Sequence, residues 1–167
     1  MLNNLLTAYY GEIYGIAFFS HYLNNYKQAE QRALWQTLVD VEKLTAEKLK
    51  PVLQAHGMEI EDRHQEMMEK GLSDAEKWID LPWSKLVATL LNWVEPYEVT
   101  YREWQTLAVE KNSNAVNFQT AFDLVAEHET AIYQCWQHYH ANESGLPILH
   151  AFFGKISLKR DWHTCTS

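Results

Sequence analysis

One spacing pattern of apolar residues recurs in four segments of this chain and constrains its fold more than any other feature. In each segment six apolar residues lie at the same offsets from a central residue: seven, four and three positions before it, and four, seven and eleven after it. With about 100° of rotation per residue, those positions fall on one face of an α-helix. The pattern therefore predicts four amphipathic helices, with these residues at the centres of their apolar faces: Glu12, Glu42, Tyr97 and His128.

The rest of the sequence favours an all-α protein. It holds only 6 glycines and 4 prolines, and it lacks the alternating Val, Ile and Thr typical of strands. The periodicity predicts long helices over residues 2–23, 27–55, 82–109 and 113–140. Pro96 predicts a kink or split of the third long helix near residues 94–95. Gly11 and Gly15 flank Glu12 in a helix of otherwise large residues, which predicts that another element approaches closely there.

The segments between and after the long helices complete a single domain over residues 1–156. Residues 61–70 form a short charged helix that we expect to stop at Gly71, and Ser73 with Glu76 is a capping signal for a further short turn. Residues 58–80 are therefore a crossover too long for a tight helical hairpin. An apolar face over 146–156 predicts a short last helix, packed on the bundle or on a second subunit. Residues 157–167 are expected to form a polar tail.

Charge and cysteine content exclude several classes of function. The formal net charge of −8 argues against binding to nucleic acid or to an anionic membrane surface. Two cysteines are too few for a disulfide framework or a thiolate zinc site. No basic segment resembling the start of a signal peptide and no uncharged run of membrane-spanning length is present. We therefore expect a soluble protein of the reducing cytoplasm.

The ionisable residues at the stripe centres predict a site inside the bundle. An unpaired charge is costly to bury, so Glu12, Glu42 and His128 need partners. Glu12 and Glu42 are separated by nearly the same number of residues as Tyr97 and His128, which indicates two similar helical hairpins. If the hairpins pack symmetrically, the four centres meet at one depth, with Glu98 at the edge of its stripe. Such a cluster is either a metal site or a hydrogen-bonded Glu–His–Tyr network.

This arrangement resembles the ferritin-like superfamily over roughly residues 2–140. Those proteins are four-helix bundles with one long crossover, and each helix pair supplies one Glu and one Glu-x-x-His motif to two irons. The resemblance aligns Glu12 with the lone Glu of the first helix and Glu42 with the Glu of the second, where Thr45 replaces the histidine. Glu98 matches the Glu of the third helix, and His128 lacks its preceding Glu. The resemblance thus implies a reduced site.

Two functional hypotheses follow from the residues and the resemblance. The first is a metal-binding protein or metal-dependent oxidoreductase that holds one Fe, Mn or Zn ion, with Tyr97 and Thr45 beside these ligands: Glu12, Glu42, Glu98 and His128. The second is a non-enzymatic bundle whose core network is structural and which binds a partner or forms a homodimer through residues 146–156. Heme-oxygenase-like helical folds, which also place Glu and His inside a bundle, are the structural alternative. The sequence does not indicate a substrate.

Overall fold

The structure, a computed structural model, describes residues 1–110 and 116–158, and its described part is all-α, as predicted. No strand occurs within these two ranges. In the described residues, six α-helices and one short 3-10 turn at Ala29–Gln31 follow one another. The helices are α1 (Leu2–Asn25), α2 (Arg32–Ala55), α3 (His64–Glu76), α4 (Trp83–Glu110), α5 (Val116–His140) and α6 (Leu146–Leu158).

Helices α1 and α2 form an antiparallel hairpin, because residues late in α1 meet residues early in α2. The rings of Tyr22 and Trp35 lie 4.7 Å apart, centroid to centroid. Further along the same pair, Gly15 faces the side chain of Glu42. The short connection between the two helices leaves room for no other arrangement. Their apolar faces therefore pack against each other, although α2 begins at Arg32 and not at residue 27 as predicted, because the 3-10 turn at Ala29–Gln31 precedes it.

Helices α4 and α5 form the second antiparallel hairpin. At one end the rings of Trp83 and Tyr139 lie 5.3 Å apart. At the other end the amide nitrogen of Gln105 donates to Asp123 at 2.8 Å. The start of the predicted fourth long helix, residues 113–115, lies outside the described residues, as do residues 159–167 of the predicted tail.

The two hairpins pack so that α4 runs antiparallel to α1. The rings of Phe18 and Trp93 are stacked with centroids 4.9 Å apart, and the hydroxyl of Tyr101 approaches Gly11. Helices α2 and α4 therefore point the same way, and the order along the chain is up, down, down, up. Such an order requires a crossover along the full height of the molecule, which the segment with α3 supplies.

Helix α3 differs from the prediction at Gly71, which does not end it. The helix continues to Glu76, so Ser73 and Glu76 belong to its last turns and cap no new one. Gly71 is buried against α1, where a Cβ atom would collide with the carbonyl oxygen of Tyr14. The hydroxyl of Tyr22 donates to the carbonyl of Ala75 at 3.1 Å, which fixes the end of α3 on α1. Gly71 thus permits close helix packing instead of stopping a helix.

Helix α4 is continuous across Pro96, so it is not split there. Pro96 is exposed, and so is Asn92, whose carbonyl loses its helical partner to the proline ring. Because Asn92 is exposed, water can reach that carbonyl and satisfy it. Helix α2 is likewise continuous across Pro51.

The last helix packs within the chain itself. Helix α6 contacts α2 and α5. Leu149, Phe152 and Ile156 are its buried residues, and all three belong to the predicted apolar face. None of the described helices combines the length and apolarity that crossing a membrane would need.

Candidate metal centre

Three of the predicted site residues come together in the core from three different helices. Glu12 of α1, Glu42 of α2 and His128 of α5 are 1%, 4% and 1% exposed, respectively. One ligand atom from each can be chosen so that all lie within 4.8 Å of one another. The His128 ring has Nδ1 3.3 Å from Glu12 Oε1 and Nε2 3.6 Å from Glu42 Oε2. Two carboxyl groups and an imidazole thus share one buried volume.

Glycine at position 15 makes room for the Glu42 side chain. A Cβ atom on Gly15 would lie 2.5 Å from Glu42 Cδ and 2.6 Å from each carboxyl oxygen, distances that real Cβ contacts do not reach. This is the close approach that the glycines of the first helix predict. Gly11 makes room for Tyr101 of α4 in the same way. A Cβ atom on Gly11 would lie 3.0 Å from the Tyr101 hydroxyl. Both glycines therefore shape the site.

The ring of His128 has no hydrogen-bond partner on either nitrogen among the described residues. Glu12 Oε2 is buried and unpartnered in the same way. Buried polar atoms in folded proteins are nearly always hydrogen-bonded, so three such atoms in one cluster are unusual. A cation bound to Glu12 and to one ring nitrogen would satisfy two of these atoms, and the other ring nitrogen would carry a proton toward a neighbouring carboxylate.

Glu129 lies beside the cluster, outside the three residues whose ligand atoms lie within 4.8 Å of one another, and was not among the predicted site residues. Its Oε2 lies 3.7 Å from His128 Nδ1, and its side chain is 13% exposed. A helical wheel places Glu129 about 100° from His128, but a glutamate side chain is long enough to bend back. The available signal was its neighbours, because Val125 and Ile132, four before and three after it, both belong to the apolar stripe.

Glu98 and Tyr97 do not join the cluster. Glu98 accepts a hydrogen bond from Thr130 at 3.1 Å and pairs with Arg102 at 3.3 Å, so its carboxylate is used at the α4–α5 surface. Tyr97 is 46% exposed, whereas Tyr101, one turn later, is only 6% exposed. Tyr97 therefore reaches solvent instead of the buried cluster. The α4 residue beside the site is therefore Tyr101, which also belonged to the predicted stripe.

Thr45 is fully buried one turn after Glu42, but its hydroxyl proton is already used. Thr45 Oγ1 donates to the carbonyl of Val41 at 2.9 Å within α2. A hydroxyl has a single proton, so Thr45 cannot donate to Glu42 at the same time. Its contribution beside the site is to packing.

Burial keeps the metal-free cluster close to neutral. Burial, then the neighbouring Glu42 charge, raises the pKa of Glu12 well above its usual value, and burial raises the pKa of Glu42 to about 8. Burial, and then the charges of Glu42 and Glu98, also raise the pKa of Glu129 well above its usual value. Burial lowers the pKa of His128 to about 3. At neutral pH the imidazole is thus a free base and Glu42 mostly retains its proton, while the raised pKa values of Glu12 and Glu129 favour their protonated forms.

This donor set can hold a divalent first-row transition metal. Carboxylate and imidazole together suit Fe(II), Mn(II) or Zn(II), and a histidine binds metal as the neutral ring found here. Three or four protein ligands leave coordination positions open for another molecule. The carboxyl protons would leave as a cation bound.

Replacing Gly15 with alanine should weaken this site without unfolding the chain. The added Cβ forces the Glu42 carboxylate to move, while alanine favours the helix by about 1 kcal/mol. We expect Gly15→Ala to lower the affinity for Mn(II), measured by isothermal titration calorimetry, by about 10-fold or more. Gly154→Ala is the control, because nothing lies within 4 Å of a Cβ there. Unchanged affinity in Gly15→Ala would show that the position of Glu42 is unimportant.

Comparison with known proteins gives no relative from which a function could be carried over. No family model, no curated protein and no solved structure matches this chain.

Proposed function

We propose that this protein binds a single divalent transition metal ion through Glu12, Glu42 and His128, with Glu129 as a fourth ligand. The observation that carries the proposal is that one ligand atom from each of Glu12, Glu42 and His128 lies within 4.8 Å of the others in the core, while the His128 ring makes no aligned hydrogen bond. A ring that served only to order the core would gain by donating a well-aligned hydrogen bond to one of these carboxyl groups. Fe, Mn and Zn are the metals that the donor set suits.

We further propose that the fold is of the ferritin-like type. The up, down, down, up order of α1, α2, α4 and α5, with the long crossover before α4, supports this. In that family each helix pair supplies a Glu-x-x-His motif, but here fully buried Thr45 and Val125 stand in two of the ligand positions. A site that lacks these two ligands supports one bound ion in place of two.

The proposed activity is that of a metal-dependent oxidoreductase. Bound iron or manganese would supply one-electron chemistry at the open coordination positions. The chain's own residues would hold the ion, release the carboxyl protons as it binds, and place aromatic side chains beside it. Tyr101 is the aromatic residue at the α4 side of the site.

Metal analysis of the purified protein tests the proposal. Protein prepared without chelator, or titrated with Fe(II), Mn(II) or Zn(II), should bind one ion per chain. His128→Ala should lose more affinity than the roughly 10–100-fold that residues behind the ligands typically contribute. His138→Ala is the matched control, since His138 lies on the same helix with its side chain 45% exposed and paired to Glu143.

Two results would overturn the proposal. One is the absence of stoichiometric metal in every titration, and the other is a His128→Ala variant that binds metal as well as the wild type does. If His128→Ala only lowered stability, the cluster would be a structural network and the chain a non-enzymatic bundle. Circular dichroism of both variants separates lost binding from lost folding.

A further inference from the structure

A cavity of about 390 Å³ leads from the surface to the candidate metal centre. Helices α1, α3 and α4 surround it, and Glu12, Glu42 and His128 line its buried end. Lys70 and Tyr97, which are exposed, line its other end, where α3 and α4 leave a gap. Helix α3, held on α1, therefore forms one side of an opening and not a cover.

Aromatic residues of α4 form most of one wall. Trp93, Tyr97, Tyr101 and Trp104 all line the cavity. The rings of Trp93 and Tyr97 are 5.9 Å apart in an edge-on arrangement, and those of Tyr101 and Trp104 are stacked at 4.9 Å. Such a wall binds flat or flexible apolar groups through dispersion and burial. The cavity exceeds twice the ~150 Å³ of an apolar cavity that takes up benzene.

Lys70 supplies the one positive side chain among the residues that line the cavity. Its Nζ lies 6.0 Å from the ring centroid of Tyr14, another lining residue. The nearby carboxylate of Asp74 is already used, since Asp74 accepts from Tyr14 at 2.9 Å and from Lys77 at 2.5 Å. No ion pair of Lys70 occurs among residues 1–110 and 116–158. Lys70 also attracts the carboxylates of Asp74 and Glu66 electrostatically, but neither lies within ion-pair distance of its ammonium group, which can therefore still bind a ligand carboxylate at the opening.

We propose that this cavity binds an apolar organic acid about the size of two fused aromatic rings, with its carboxylate on Lys70 and its apolar body against the aromatic wall of α4. The position and sign of the single cation favour an anionic head group. The volume and the rings favour a bulky apolar body. The inference rests on the proposed function in one respect, namely that the bound acid would lie beside the metal ion. The binding of the acid itself is inferred from the cavity alone.

Three probes with one ring system and different charges test the proposal: 1-naphthoate, 1-naphthalenemethanol and 1-naphthylmethylamine. Isothermal titration calorimetry should rank the acid first, with the alcohol weaker by about 10-fold, the usual effect of a charge-assisted hydrogen bond. Lys70→Met should remove that advantage and leave the alcohol unchanged. Lys43→Met, at an exposed position of α2, is the control for loss of a surface charge.

A second variant tests the location. Thr100 lines the cavity, so Thr100→Trp should fill it and abolish binding of both the acid and the alcohol. Thr106→Trp is the matched control, because Thr106 is exposed on the same helix and its hydroxyl makes the same bond to the carbonyl four residues before it. Circular dichroism should show both variants equally helical.

The outcomes separate this inference from the proposed function. Each titration is run with excess chelator and again with Mn(II). If the acid binds through Lys70 in a chain that takes up no metal, the cavity inference holds and the metal proposal fails. If the chain takes up metal but does not bind 1-naphthoate, the metal proposal holds and the cavity inference fails. Tighter binding of the amine than of the acid, or full binding by Thr100→Trp, would overturn the inference.

Discussion

Raising the pH above 6.5 should destabilise the metal-free protein by a few kcal/mol, and Glu42→Gln should remove much of that loss. The pKa of Glu42 is raised from 4.5 to about 8 by burial, so the folded state binds its proton more tightly than the unfolded chain does. The stability that this proton provides is complete below pH 4.5 and is lost as the pH rises through 8. Each such group contributes a slope of at most about 1.4 kcal/mol per pH unit.

His128 acts in the opposite direction over a lower range. Its pKa is lowered from 6.5 to about 3, so the folded state disfavours the proton and stability is lost as the pH falls below 6.5. Between 4.5 and 6.5 the slopes from Glu42 and His128 oppose each other. Above 6.5 the carboxyl groups alone set the slope, which is why the decline is expected there.

Urea unfolding at several pH values in excess chelator measures this effect. Glutamine cannot ionise, so Glu42→Gln should flatten the curve between pH 6.5 and 8. Glu47→Gln, at an exposed position of the same helix, should leave it as in the wild type. Saturating Mn(II) should reverse the slope, because a bound cation favours the deprotonated carboxylates. Equal slopes in wild type and Glu42→Gln would mean that Glu42 does not hold a proton at neutral pH.

The residues that the sequence located correctly are those fixed by helical periodicity. Glu12, Glu42 and His128 lie at the centres of stripes whose six members must all turn inward, so burial of the stripe determines their direction. The sequence also indicated that another element approaches α1 closely at Gly15, because glycine destabilises a helix and is otherwise unexpected among large residues. These features are local to one helix, and local patterns are what a single sequence records.

The features that the sequence missed depend on how one helix meets another. Gly71 is the same residue whether it ends a helix or lets α3 press on Tyr14, and only the packing decides between the two. Tyr97 and Tyr101 both belong to one apolar face, and the gap between α3 and α4 decides which is exposed. Glu129 reaches the site through its own flexible side chain. The relation to the ferritin-like superfamily stays a prediction.

Replacing the whole cluster with apolar residues should stabilise the metal-free protein and abolish metal binding. In the variant that combines Glu12→Met, Glu42→Met and His128→Leu, side chains of similar volume would fill the same space without unpartnered polar atoms. Such replacements of buried ionisable groups are often stabilising by about 1–4 kcal/mol. His128→Leu alone should lower stability, because Glu12 and Glu42 would lose the imidazole as a polar neighbour and face an apolar side chain instead.

Unfolding in excess chelator, compared with metal titration of the same proteins, decides between the two roles of the cluster. A triple variant that is more stable and binds no metal means that Glu12, Glu42 and His128 lower the stability of the wild-type fold. Residues that destabilise the fold but bind metal are expected of a binding site. A triple variant several kcal/mol less stable than the wild type would mean the opposite, namely that the three side chains order the core. Because His128→Leu alone lowers stability under either role, the stability measurement needs the combined replacement to separate a site that the fold tolerates from a network that the fold needs.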